Sequence, residues 1–414
     1  MIFFSAQAAG RMPIPRRRAG NLASSRPGNL APVRRRFVSA GTAALAAAVV
    51  LGIASTAQAA TGFQAQASSN VTGSDYNELD GVTDIGATND TAVGFYRISG
   101  QLIFRAFAEH WNGRTWSVVT VPSPAGHDTR LHAIAAATTT DLWAVGSDAS
   151  HSLIEHSTNG GLGWSVAPSP ANEPASSQLD AISAVSATDI WAVGYSRAGS
   201  TGQGFEPLIE HWNGTAWSVI PGAPITVTGS DFLSGVSAAS SADVWAVGRS
   251  GRHPTPIIEH WNGTSWAQVP QPVSGYDSSL NSVAAISGTD VWAVGEQNLN
   301  QTVTEHWDGT SWTLVPSPSV TANNAQDTLS GVSAIGSSDV WAVGSTLQNF
   351  TTDQTLAEHW DGTSWQIVPS ANPGPGSNAL NSLAPTAPGG PLRAVGFSTG
   401  GTPATATLVE TTVG

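Results

Sequence analysis

Leu233-Ser-Gly-Val-Ser-Ala238, Asp243-Val-Trp-Ala-Val-Gly248 and Ile257-Ile-Glu-His-Trp-Asn-Gly-Thr-Ser-Trp266 form one unit of the chain, which closes with Ala267-Gln-Val-Pro270. Each piece reads as a short strand. In the second, Trp245 and Val247 fall on one face and Val244 and Ala246 on the other, because side chains alternate along a strand. Both faces are apolar, so this strand is covered on both sides. Asn262-Gly263 combines two residues that tolerate positive φ and predicts a two-residue hairpin. The unit is therefore four antiparallel strands, a to d, with c and d joined by a tight turn.

The unit recurs along most of the chain. Leu79, Leu131, Leu179, Leu233, Leu280, Leu329 and Leu380 open it seven times. Four-stranded units at a period of about fifty residues predict an all-β fold, a seven-bladed β-propeller. All 16 tryptophans fall on three positions of the unit: strand b, strand c after Glu-His, and the start of strand d. That regularity marks them as packing between blades rather than a stacking platform for a ligand. The last unit stops inside strand c at Leu408-Val-Glu-Thr411. At the offset where strand d precedes each opening leucine, Phe63-Gln-Ala-Gln-Ala67 lies before Leu79, with Phe63 in place of the usual Trp. The segment 63–67 is expected to complete the last blade and close the ring, leaving no unpaired edge there.

Asp141-Leu-Trp-Ala-Val-Gly146, then Leu153-Ile-Glu-His-Ser157 and Asn159-Gly-Gly-Leu-Gly-Trp164, resemble the bacterial Asp-box (neuraminidase-repeat) propellers, above all those of the photosystem II assembly-factor type. Ser157, Asn159, Gly161 and Trp164 nearly meet the family pattern; elsewhere it shortens to Trp-Asn/Asp-Gly-x-x-Trp. Kelch-type propellers are the second choice, but their Gly-Gly doublet after strand b is missing. The resemblance implies a fold. In that family the box holds a hairpin and is not an active site.

The chain has 414 residues, no Cys and no Lys, which excludes disulfides, thiolate metal sites, thiol nucleophiles and lysine chemistry. Residues 1–59 carry eight Arg and no acid, so the remainder sets eight Arg against 29 acids, a net −21 with His neutral. So acidic a body repels phosphate backbones, and no nucleic-acid partner is expected. Arg34-Arg-Arg-Phe-Val38, the Ala-rich run 43–51 and Ala57-Gln-Ala59 follow the order of an export signal, and the arginines resemble a twin-arginine leader. The expected organisation is an export signal with an N-terminal extension over 1–59 and the propeller over 60–414. A secreted or cell-envelope protein is expected, monomeric and without stable membrane insertion once the signal is cleaved.

With strand a innermost, the b–c and d–a connections share one face and vary most, so binding residues are sought there. Asp75, Asp128, Asp231, Asp277 and Asp327 stand just before strand a. Gathered at the channel mouth, they would suit Ca²⁺ or a polyhydroxylated ligand; the competing reading is a turn Asp bonded to its own backbone. Apart from calcium no cofactor is expected. The loops of that face add Tyr96, Arg97, Tyr195, Arg197, Arg249, Arg252, His253 and Tyr276. Tyr96-Arg-Ile-Ser99 resembles the arginine motif of sialidases, an enzyme that also needs two further converging arginines, a Tyr nucleophile with its Glu, and an acid. Glu-His in strand c recurs in six units and reads as a repeated hydrogen bond, since neighbouring residues of a strand point to opposite faces. The strand-b Asp (Asp141, Asp189, Asp243, Asp290, Asp339) reads as a turn residue. No catalytic residue is assigned. The leading expectation is a non-catalytic binding or scaffold propeller for a carbohydrate or protein ligand; the alternative is a polysaccharide-active hydrolase or lyase.

Overall fold

The computed structural model describes residues 62–413 except 87, 125, 171–175, 198–203, 225–229, 273–276, 299, 321–324 and 386–390. The segment read as an export signal, 1–59, and Tyr276 lie outside the described residues. Among the described residues, seven antiparallel sheets of four strands each make up the regular structure. Blade 4 shows the pattern: a is Asp231–Ser240, b is Asp243–Ser250, c is Thr255–Trp261 and d is Trp266–Gln268. The inner strands touch both neighbours all round, and the circle closes between the seventh, Asn378–Pro385, and the first, Ser74–Asp84. The chain is a seven-bladed β-propeller.

Closure is by the strand expected. Gly62–Gln66 pairs with Thr405–Val413, in the register Phe63 to Thr412 and Gln66 to Val409, and forms the outer strand of blade 7. Phe63 is 3% exposed and meets Trp341 of blade 6 edge-on, ring centroids 5.6 Å apart. It fills the place that Trp takes elsewhere. Trp143 of blade 2 packs on Trp212 and Trp217 of blade 3 at 4.9 and 5.5 Å, and Trp245 of blade 4 repeats this on Trp307 and Trp312 of blade 5 at 5.0 and 5.4 Å. The tryptophans are thus a girdle across the blade seams, each such pair worth about 0.5–1.5 kcal/mol beyond the area it buries.

The Gly inside each strand b has a steric cause. A Cβ on Gly248 would lie 1.9 Å from the Phe232 carbonyl oxygen of strand a. Every strand a carries one extra residue just after its opening leucine, next to this close approach. The c–d turn differs from the two-residue hairpin predicted. Four residues, 262–265, separate the paired Trp261 and Trp266, and at this turn only Gly263 has positive φ, 88°. Asn262 instead uses its side chain, Oδ1 accepting from the backbone NH of Thr264 and Ser265 at 3.0 and 3.1 Å. An Asx-type turn needs one left-handed residue rather than two.

The Glu-His pair also resolves into architecture. His260 Nε2–H donates to Asp243 Oδ1 at 2.8 Å while its ring stacks on Trp245, and the same Asp–His–Trp set recurs in blades 2, 3, 5 and 6. The strand-b Asp is therefore the partner of His. The Glu faces the other way, and all seven (Glu109, Glu155, Glu210, Glu259, Glu305, Glu358 and Glu410) are fully buried. Several grip the chain as it crosses between blades: Ser69 NH donates to Glu109 Oε2 at 3.1 Å, Ala223 NH to Glu259 Oε2 at 3.0 Å, and Ser169 Oγ to Glu210 Oε1 at 2.8 Å.

One seam departs from the repeat. Arg393 replaces the strand-b Trp of blade 7 and lies over Trp111 and Trp116 of blade 1 at 4.7 and 5.7 Å. Its Nε donates to the buried Asp90, which stands where blade 2 has Leu142, and its Nη1 donates to Gln66 of the closing strand at 2.7 Å. Removing one partner of a buried pair strands the other charge, at about 3–5 kcal/mol, whereas replacing both by packed apolar groups is often neutral or better. Arg393→Ala is expected to lower the melting temperature by several degrees, and the pair Asp90→Leu with Arg393→Trp to recover it. A double variant no more stable than Arg393→Ala contradicts this account of the seam.

Candidate functional site

The b–c and d–a connections share the upper face, and strand a descends from it into the channel. The bulge residue of each inner strand turns into that channel, so each blade contributes one side chain to a ring: Asp80, His132, Asp180, Ser234, Asn281, Ser330 and Asn381. They line a cavity of about 260 Å³ together with the two residues that follow each of them. The ring is uneven. Its charged members come from blades 1 to 3, its small polar members from blades 4 to 7.

The charged arc is hydrogen-bonded from Tyr76 through to His132, with Asp180 held separately by Gln178. Tyr76 OH donates to Glu78 Oε2, and Asn381 Nδ2 of blade 7 donates to Glu78 Oε1 at 3.1 Å and to Asp80 Oδ1 at 3.0 Å. Asp80 Oδ2 holds His132 Nδ1 at 3.2 Å, and Gln178 Nε2 donates to Asp180 Oδ1 at 2.6 Å. Burial and the charge of Asp80 push the Glu78 carboxyl up to about 7. Burial also raises Asp180. For His132 burial acts downward, but the hydrogen bond and charge of Asp80, with the charge of Asp180, leave it raised.

Two aromatic–arginine clusters stand on the upper face beside this arc. In blades 1 and 2, Tyr76, Phe95 and Phe104 pack together at 5.2–5.8 Å, with Arg130 over Phe95 and Phe104 at 4.7 and 4.4 Å and Arg97 over Phe104 at 5.3 Å. In blades 3 and 4, Tyr195, Phe205 and Phe232 pack at 4.9–5.5 Å, with Arg249 over Phe232 at 5.0 Å. Each cluster joins the start of strand a, the end of b and the start of c, so sequence-distant residues meet.

The acids before strand a do not share one register. Asp231 and Asp327 lie two residues before the opening leucine and are buried, as are Asn77, Thr129, Ser177, Ser278 and Asn378 at that position in the other blades. There the side chain receives the arriving connection, as when Val320 NH donates to Asp327 and Val71 NH to Asn77 Oδ1 at 3.0 Å. Asp75 lies further out and accepts from Arg97 Nε at 3.1 Å. Asp128 is exposed and accepts from Phe104 NH at 2.9 Å. Asp277 has φ 62° and stands 3.6 Å from the exposed His253. Tyr96 packs on Phe107 at 5.8 Å, and Arg197 and Arg252 are exposed ends of blades 3 and 4. Of the residues read from the sequence, then, Arg97, Tyr195 and Arg249 join the clusters. Tyr76, Glu78, Asp80, Arg130, His132 and Asp180 were missed. Their signal was variation at a position that otherwise repeats, the residues flanking the opening leucine.

No protein-family model matches the chain, and no curated protein matches it in sequence. Solved structures do match. YCF48 bound to D1 peptide superposes with a TM-score of 0.54 at 14% identity, over 85% of this chain and 97% of that one. YCF48 from Cyanidioschyzon merolae gives 0.53 at 12%, over 84% and 98%. A chain of the mitotic checkpoint complex gives 0.54 at 9%, over 92% and 99%. The likeness is one of fold. At such identities the propeller is shared, and its ligand is not carried with it.

Proposed function

We propose that this chain is an exported, non-catalytic propeller that binds a protein ligand, in peptide form at the contact, across the upper face of blades 1 to 4. The observation that carries this reading is the pair of aromatic–arginine clusters flanking the charged arc. Tyr, Phe and Arg are the residue types that anchor protein interfaces, and here they are held rigid on strand ends. The D1 peptide bound by YCF48, which has the same fold, supports a peptide as the ligand type. Export rests on the arginine-led segment before residue 60. Both oxygens of Glu78 are bonded by Tyr76 and Asn381, and both of Asp80 by Asn381 and His132, which fixes this part of the arc as a set polar surface beside the clusters.

The test is an array of synthetic peptides probed with the full chain. Phe104→Ala or Arg130→Ala is expected to weaken the peptides retained by about tenfold or more, the cost of losing one interface anchor. Leu162→Ser, on an exposed c–d turn of the opposite face, leaves them unchanged. Equal losses in all three variants, or none in the first two, contradict the assignment.

A further inference from the structure

We propose that the peptide bound on the upper face is acidic at two places, with Arg130 and Arg249 as two carboxylate subsites, one in each aromatic cluster. The assignment rests on that face being the peptide surface, and it names what the surface selects. The two clusters occupy the same places in the repeat, two blades apart. Phe95 and Tyr195 follow the strand-b glycine, Phe104 and Phe205 open strand c, and Arg130 and Phe232 precede the opening leucine of the next blade. Within that next blade Arg130 pairs with Ser147 and Phe232 with Arg249, so the same cross-strand pair supplies an arginine to each cluster. The other five blades have no arginine in this pair.

What each arginine lacks selects the ligand. Arg393 shows how this chain holds a structural arginine: its face lies on Trp111 and Trp116, and its edge is filled by Asp90 and Gln66. Arg130 and Arg249 have only the first half of that arrangement. Arg130 lies over Phe95 and Phe104, and Arg249 over Phe232. Among the described residues the arginine ion pairs are those of Arg97 and Arg393, and neither Arg130 nor Arg249 has a hydrogen-bond partner. Arg249 is exposed, and the unpartnered nitrogens of Arg130 are not buried, so both edges reach solvent.

A guanidinium has five N–H donors in one plane and no acceptor, so the missing partner brings acceptor atoms. A carboxylate brings two in one plane, with a full charge, and matches the fork; a backbone carbonyl brings one oxygen and no charge. Stacking on phenylalanine holds each guanidinium plane ready for that contact. The acids nearby do not fill the place. Glu78 acts on Arg130, and Asp180 on Arg249, through charge alone; Glu78 is bonded by Tyr76 and Asn381, and Asp180 by Gln178. Two carboxylates on one peptide reinforce each other, because the second contact forms at high effective concentration once the first is made.

The experiment measures binding of the full chain to synthetic peptides of about twelve residues, about 40 Å when extended, by fluorescence anisotropy. Each peptide carries Glu, Gln or Lys at two positions of varied spacing, with Leu or Tyr beside them, and is made with a free and an amidated C-terminus. At the best spacing the Glu–Glu peptide is expected to bind about a hundredfold more tightly than Gln–Gln, about tenfold for each charge-assisted contact. Loss of one such step on amidation assigns one carboxylate to the chain end, and no loss assigns both to side chains; either result supports the two subsites. Arg130→Gln or Arg249→Gln removes one step, and the two together remove the preference. Arg114→Gln, which takes the same charge from the exposed c–d turn of blade 1 on the opposite face, leaves it intact. Glu–Glu and Gln–Gln peptides bound alike, a preference for Lys, or a preference that survives the double variant overturns the proposal. So does a loss confined to one of the two arginines, or no binding of any Glu–Glu peptide up to about 1 mM. The peptide surface itself fails differently, with Phe104→Ala leaving every bound peptide unaffected.

Discussion

Deletion of Gly62–Gln66 from the full chain lowers the melting temperature by about 10 °C or more, or abolishes the cooperative transition. The strand supplies the whole outer edge of blade 7 and two side chains that bind across seams. Phe63 seats on Trp341 of blade 6; Gln66 holds Arg393 of its own blade and accepts from Trp116 Nε1 of blade 1 at 3.3 Å. Losing a buried Phe alone costs about 3–5 kcal/mol, and the deletion adds a row of ladder hydrogen bonds and an exposed edge. In a domain of this size each kcal/mol moves the midpoint by at most about 2–4 °C. The effect is graded. Phe63→Ala loses the aromatic contact only, and Phe63→Trp, the residue of the other blades, keeps most of the stability. An unchanged midpoint after the deletion refutes closure by this strand.

The buried glutamates give the second large effect, in pH. Burial pushes Glu109 and Glu155 up to about 8 and Glu259 and Glu410 up to about 7, and it raises Glu358 well above its ordinary value, with the charge of Asp327 adding to the rise. In the unfolded chain a Glu titrates near 4.3. The folded form therefore holds these protons more tightly. Their contribution is fully present below about pH 4 and is lost as pH rises through about 7 to 8. A tenfold change in proton affinity corresponds to about 1.4 kcal/mol, so five such groups, even heavily discounted, change stability by several kcal/mol. The melting temperature is expected to fall by about 5–10 °C between pH 5.5 and pH 8.5. Glu358→Gln, which needs no proton beside Asp327, flattens the slope and raises the midpoint at pH 8.5. A midpoint that is level or rising over this range contradicts the neutral buried carboxyls.

Much of this architecture was legible because repetition carries it. A tryptophan at one offset in many units is a packing residue, and the absence of strand d from the last unit pointed to Phe63. What repetition hides is the place where it breaks. Thr91 and Arg393 sit where other blades have Trp, and only the three-dimensional neighbour, Asp90, explains the second. The bulge after each leucine leaves no trace in an alternating pattern, so Asp80, His132 and Asp180 read as ordinary strand residues until register was known. The acids before strand a misled for the same reason: one residue of offset separates a buried clamp such as Asp327 from an exposed residue such as Asp128.

The claim that the upper face of blades 1 to 4 is the ligand surface is tested most directly by hydrogen–deuterium exchange on the full chain, alone and with a peptide retained on the array. Protection is predicted at the strand ends around Phe95–Phe104, Arg130, Tyr195 and Phe232–Arg249, where the clusters stand. Protection at the opposite c–d turns around Asn112, Asn213 and Asn262, or spread evenly over all seven blades, would contradict it.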